Sequence, residues 1–135
     1  VYFLARMSPQ FPVLPYNQGI KAFTKEDYDG AKRYFRQVME RFPQTIIVDQ
    51  AAYHYAMCHY REKDWNQTIY WLKWLMETYP ETGRAGEVLY HMGLCYLNQG
   101  NITEARAQFR KTIDQFPGGA WANFSKDRLQ EMARP

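Results

Sequence analysis

The chain has 135 residues, 17 of them basic and 14 acidic, for a net charge of +3; that length suits one domain. Charges of both signs are interleaved as on a solvated surface, and no basic stripe of the kind that grips phosphates stands out, so nucleic acid is not an expected partner. No stretch approaches the ~20 apolar residues of a membrane-spanning helix, so no transmembrane segment is expected.

The first segment, residues 1–15, is apolar and rich in proline. Pro9, Pro12 and Pro15 disfavour a continuous helix and predict an extended arm. Tyr2, Phe3, Leu4, Phe11, Val13 and Leu14 are too apolar for a disordered linker. The arm is therefore expected to be buried, either over its own first repeat or on a second copy of the chain. No signal peptide is visible in it.

From residue 16 the chain repeats itself at a step of 37 residues. "MERFPQT" at 39–45 returns as "METYPET" at 76–82 and "IDQFPGG" at 113–119, with Pro43, Pro80 and Pro117 in register after an aromatic. A small column holds Gly19, Ala56 and Gly93, and a second holds Ala31, Thr68 and Ala105. A large apolar column holds Phe35, Leu72 and Phe109, and an aromatic one Tyr16, Tyr53 and Tyr90. So many columns in register mark an internal repeat. The three units run at about 16–43, 44–80 and 81–117.

Each unit reads as two helices. Asp27, Asp64 and Asn101 predict the start of the second, because their side-chain oxygens take an orphan backbone N–H. Asp64 to Gln67 and Asn101 to Glu104 have capping-box form. The aromatic–proline pair predicts its end. Small columns mark where two helices approach closely, and large ones fill the space beside them. Residues 118–135 supply a capping helix, predicted over 120–133, that covers the last repeat. Trp121, Phe124 and Leu129 are expected to face inward.

The pattern resembles the tetratricopeptide repeat (TPR) family. Its small, large and proline positions fall on Gly19/Ala56/Gly93, Ala31/Thr68/Ala105, Phe35/Leu72/Phe109 and Pro43/Pro80/Pro117. Thr68 departs from the usual alanine, and the repeat is three residues longer than the common ~34. The longer spacing, with "LYHMGLCYLNQGN", is similar to the bacterial cell-envelope TPR proteins of the YbgF and BamD type. The resemblance implies an all-α fold, a right-handed TPR-like α-solenoid of three helix-turn-helix repeats with a C-terminal capping helix. It also implies a periplasmic, cell-envelope or extracellular location.

By the same resemblance the first helices line a concave groove. The positions facing it would be Tyr16, Ile20, Phe23 and Thr24, then Tyr53, Met57, Tyr60 and Arg61, then Tyr90, Leu94, Leu97 and Asn98. That surface is apolar and aromatic, suited to an apolar segment of a partner rather than a charged tail. A register shift would place some of these residues in the core instead. On the second helix of the middle repeat, Trp71 and Trp74 are neighbours at i,i+3 and, with Tyr70, suggest an outer-face interface.

Chemistry is sparsely represented. Cys58 and Cys95 share a repeat position, and equivalent helices lie roughly 9–10 Å apart, beyond the ~7 Å reach of a disulfide. Two free, buried thiols are expected. His54/Cys58 and His91/Cys95 are i,i+4 pairs that could in principle form a zinc site, although core filling explains them more simply. No nucleophile elbow or phosphate loop is present, and His59 beside Cys58 points about 100° away on a helix. The expected protein is thus not an enzyme and needs no cofactor or metal. It is a protein–protein interaction scaffold for a protein or peptide partner. The alternative is a self-assembling structural subunit, a homo-oligomer or head-to-tail filament joined through the N-terminal arm.

Overall fold

The computed structural model describes residues 11–135. Among these residues there are seven α-helices and no strand. They are α1 (Val13–Thr24), α2 (Tyr28–Arg41), α3 (Val48–Arg61), α4 (Trp65–Thr78), α5 (Ala85–Asn98), α6 (Ile102–Gln115) and α7 (Ala120–Ala133). Contacts divide the chain into two compact units, one ending at Gln67 and the other beginning at Thr68. In the first, α2 packs on α1 and α3, which also touch each other. In the second, α6 packs on α5 and α7, which again touch each other.

The turn inside each helix pair is built the same way three times. The backbone N–H groups of Asp27, Asp64 and Asn101 donate to the carbonyls of Ala22, His59 and Tyr96, each at 2.9 Å. This closure requires the preceding residue in the left-handed region. Glu26 (φ 63°), Lys63 (φ 61°) and Gly100 (φ 79°) occupy it, and glycine alone does so without steric cost. The residue that closes one helix then opens the next. Asp27, Asp64 and Asn101 side-chain oxygens accept from the N–H of Gly30 (3.0 Å), Gln67 (3.2 Å) and Glu104 (3.3 Å). At the far end, Phe42 and Phe116 leave helical geometry at φ/ψ of −130°/48° and −132°/55°. A residue before proline is pushed out of the α region by the ring's Cδ.

The repeat columns become packing pairs. A Cβ on Gly19 would come within 2.6 Å of the Phe35 ring, and one on Gly93 within 2.5 Å of the Phe109 ring. Only glycine allows the first helix so close to a phenylalanine on the second. Phe35, Phe109, Ala31 and Ala105 are all fully buried. In the middle repeat the same columns hold Ala56 and the smaller Leu72, each fully buried. Thr68, the departure from alanine, is also fully buried.

The amino-terminal end corrects the expectation of an extended arm to residue 15. The helix begins at Val13, with Pro12 as its N-cap and Pro15 as its buried third residue. A proline in the first turn lacks only an N–H that would have no helical partner, and Tyr16 N–H already donates to the Pro12 carbonyl at 3.0 Å. Phe11, Val13 and Leu14 are exposed rather than folded over the first repeat. Tyr2, Phe3 and Leu4 lie outside the described residues. Among the described residues no helix is long and apolar enough to cross a membrane.

Candidate peptide-binding surfaces

In the first unit the candidate positions sit on α1 and α3. Tyr16, Ile20 and Phe23 are half-buried on α1, and Thr24 is exposed, its hydroxyl donating to the Ile20 carbonyl at 2.9 Å. On α3, Tyr53 and Met57 are only 5% and 7% exposed, so these two belong to the core more than to an open surface. Tyr60 is half-buried and Arg61 exposed.

His54 organises this face. Its ring stacks on Phe35 at 5.5 Å and meets Tyr16, Phe23 and Tyr53 edge-on at 6.0, 6.1 and 5.4 Å. Its Nδ1 donates to the Gln50 carbonyl at 2.9 Å, which fixes the ring plane. Phe23 also carries the Arg61 guanidinium, 5.3 Å from its centroid, and Tyr60 rests on Trp65 at 5.3 Å. The accessible strip is therefore Ile20, Phe23, Tyr60 and Arg61, an apolar edge with one cation held on an aromatic face.

In the second unit Tyr90 is 8% exposed and covered by the capping helix. Its ring meets Phe109 and Trp121 at 5.7 and 5.5 Å, and its hydroxyl accepts from Arg128 Nε at 3.2 Å. Leu94, Leu97, Trp121, Leu129 and Met132 pack against the Tyr90–Ala105–Phe109 cluster. Leu94 and Leu97 keep part of their surface, and Asn98 is exposed, with its amide donating to the Leu94 carbonyl at 2.9 Å. Phe124 corrects its assignment to the inward face: it is 45% exposed, its ring tilted against Tyr90 at 5.9 Å and edge-on to Trp121 at 5.5 Å.

The aromatic face of α4 is a chain of edge contacts. Tyr70 meets Trp71 at 5.0 Å, Trp71 meets Trp74 at 5.5 Å, and Trp74 meets Tyr79 at 5.8 Å. Tyr70 is 58% exposed, whereas Trp71 and Trp74 are half-buried.

The titratable groups behave as core rather than as reagents. Cys58 and Cys95 are free and buried, and burial pushes both thiols up to about 12; thiols so far from ionisation are poor nucleophiles and poor ligands. Burial lowers His91 below its ordinary value, partly offset by the hydrogen bond from its Nδ1 to the Glu87 carbonyl at 2.9 Å. Among the described residues no three His, Cys, Asp or Glu side chains come together as a metal site.

The model of the YfiO family, described as an outer membrane lipoprotein, matches residues 12–133. No curated protein matches the chain. Among solved structures, the N-terminal domain of stress-induced protein-1 (STI-1) from C. elegans superposes with a TM-score of 0.73 at 15% identity, covering 86% of this chain and 92% of that one. The Arabidopsis OM64 TPR domain gives 0.73 at 13% identity, covering 90% and 95%. The first TPR of Spaghetti (RPAP3), bound to the HSP90 peptide SRMEEVD, gives 0.72 at 14% identity, covering 91% and 94%. The all-α fold is thus of the tetratricopeptide type.

Proposed function

The chain belongs to the YfiO family, described as an outer membrane lipoprotein, and on that premise we propose that it is a non-catalytic protein–protein interaction scaffold of the bacterial cell envelope. Its partner contributes an apolar or aromatic segment. The observation that carries this reading is the character of the first helices: of the nine candidate positions that keep accessible surface (the twelve without Tyr53, Met57 and Tyr90), Arg61 alone is charged. The Spaghetti (RPAP3) domain holds SRMEEVD, a peptide with three acidic residues, which calls for a cation-rich surface. The strip of Ile20, Phe23 and Tyr60 and the residual surface of Leu94 and Leu97 instead favour burial of apolar side chains.

The test is calorimetric titration of the full chain with short peptides, one set apolar and aromatic, the other acidic. The apolar set is expected to bind, and Phe23→Ser and Leu94→Asp each to weaken it about tenfold, or ~1.4 kcal/mol. Preference for the acidic set overturns the reading.

A second reading has its own observation. Phe11, Val13 and Leu14 are exposed together at the start of α1, and a contiguous apolar end suits docking on another copy. Light scattering on the full chain and on a Phe11→Ser, Leu14→Ser variant decides it. Assemblies lost in the variant support a self-assembling subunit, and monomers from both remove that reading.

A further inference from the structure

Between α2 and α3 in the first unit lies a cavity of ≈ 790 Å³, large enough for a small organic ligand. Four cations line it (Lys32, Arg33, Arg36 and Arg41) against two carboxylates, Asp29 and Glu40. Glu62, outside the lining, pairs with Lys32 at 2.7 Å, so four cations face three carboxylates and one positive charge is in surplus. Arg36 is fixed in place: Nη1 donates to the Tyr55 hydroxyl at 3.0 Å, Nε pairs with Glu40 at 2.8 Å, and the guanidinium lies 5.6 Å from the Tyr55 centroid. Lys32 is held by Glu62 at 2.7 Å and by Asp29 at 3.6 Å. Arg33 and Arg41 are exposed at the margin.

His59 also lines this cavity. It is 9% exposed, and among the described residues neither ring nitrogen has a hydrogen-bond partner. Among the described residues the Tyr55 ring supports it, edge-on at 5.2 Å. A buried polar group without a partner calls for an explanation. Repetition does not supply one. One period on, Lys32, Arg33 and Arg41 become Ile69, Tyr70 and Thr78, while Tyr55 and His59 become Met92 and Tyr96. The corresponding hollow in the second unit, ≈ 340 Å³, carries Lys73 and Lys111, Glu77 and the methionines Met76 and Met92 in its lining. The helix pair therefore folds without a histidine or an arginine cluster at these places.

We propose that the α2–α3 cavity binds a phosphate monoester, its phosphate paired with Arg36 and with Arg33 and Arg41 at the rim, and accepting a hydrogen bond from the His59 imidazole. A monoester carries close to two negative charges near neutral pH, which the exposed Arg33 and Arg41 at the margin can meet, and its oxygens accept from several donors at once. Burial and the neighbouring Lys32 hold His59 below its ordinary value, so the neutral ring offers one N–H donor. The space beyond the phosphate takes the organic group. A soluble metabolite and a lipid headgroup with a terminal phosphate present the same chemistry.

The test uses the full chain with phenyl phosphate, and with phosphatidylcholine vesicles with and without phosphatidate. Binding is read by calorimetry and by the imidazole nitrogen signals of His59. Expected is saturable binding that shifts those signals, weakened about tenfold or more by Arg33→Gln with Arg41→Gln, two changes at exposed positions. His59→Phe is expected to lose the response while melting higher than the parent, since it removes a buried unpartnered group. Binding of phenyl phosphate makes the natural ligand soluble, and binding only to phosphatidate vesicles makes it a headgroup. No saturable binding to either probe, or binding unchanged in either variant, overturns the proposal.

Discussion

The two units solve the same packing problem and then part company. In the first, Gly19 lets α1 rest on Phe35, and His54 lies across Tyr16 and Phe35. In the second, Gly93 lets α5 rest on Phe109, and the place of His54 two periods on is taken by Arg128, which bonds the Tyr90 hydroxyl. The glycine–phenylalanine contact is common to both, while the residue covering the tyrosine changes from an aromatic ring to a cation. On the other side, the first unit has an arginine-lined cavity with a buried histidine, and the second has a smaller hollow lined by two lysines and two methionines. Repetition thus preserves what packs a helix pair, and leaves the surfaces free to differ.

The sharpest way to break this comparison is to remove the shared contact. Phe35→Ala and Phe109→Ala are each expected to destabilise by about 3–5 kcal/mol, read by urea unfolding. If one costs far less than the other, the two packing pairs are not equivalent. Next in size, Gly19→Ala and Gly93→Ala force a methyl into a fully buried ring and should cost about 1–3 kcal/mol each, seen as a lower melting temperature. A neutral result at either would mean that its phenylalanine can swing aside.

Smaller effects probe the turns. Asp27→Ala removes the oxygen that accepts from Gly30 N–H and is expected to cost ~1 kcal/mol in thermal melts, as is Asn101→Ala in the second unit. Lys63→Gly relieves a left-handed residue at φ 61° and should raise stability by up to ~1 kcal/mol. The third turn already has Gly100 there, so Gly100→Lys should lose a similar amount.

The finest probe is pH. His91 is lowered from its ordinary 6.5, chiefly by burial. As pH falls through that value the unfolded chain takes up a proton before the folded one does. Stability is therefore full above about pH 6.5 and declines below it, toward the depressed folded value. His91→Gln should flatten part of that decline in urea titrations at pH 5 to 7, and an unchanged slope would assign it to other groups.

Much of this was legible in the columns. The N-cap residues Asp27, Asp64 and Asn101, the aromatic–proline stops and the small-against-large pairing are all local or periodic, so spacing alone exposes them. The left-handed position just before the caps went unread, because Glu26 and Lys63 hide what only Gly100 advertises. The start of α1 was misread because proline is a helix breaker in the interior and harmless in the first turn; which of the two applies to Pro15 depends on where the helix begins. Tyr53, Met57 and Tyr90 stand in positions the resemblance gives to a groove, yet they are buried, because neighbouring helices and the cap close over them. The α2–α3 cavity escaped the sequence altogether, since its cations are spread over two helices and form no run.

The sequence by itself determined the period, the helix pairs, their caps and the small–large pairing of the core, since each depends on residues near in the chain or on a fixed step along it. Tertiary structure alone decided which aromatics stay accessible, that Phe124 turns outward, and that Arg33, Arg36, Arg41 and His59 share one hollow. Those outcomes depend on how far one helix overlaps the next, a distance in space that no spacing in the chain records.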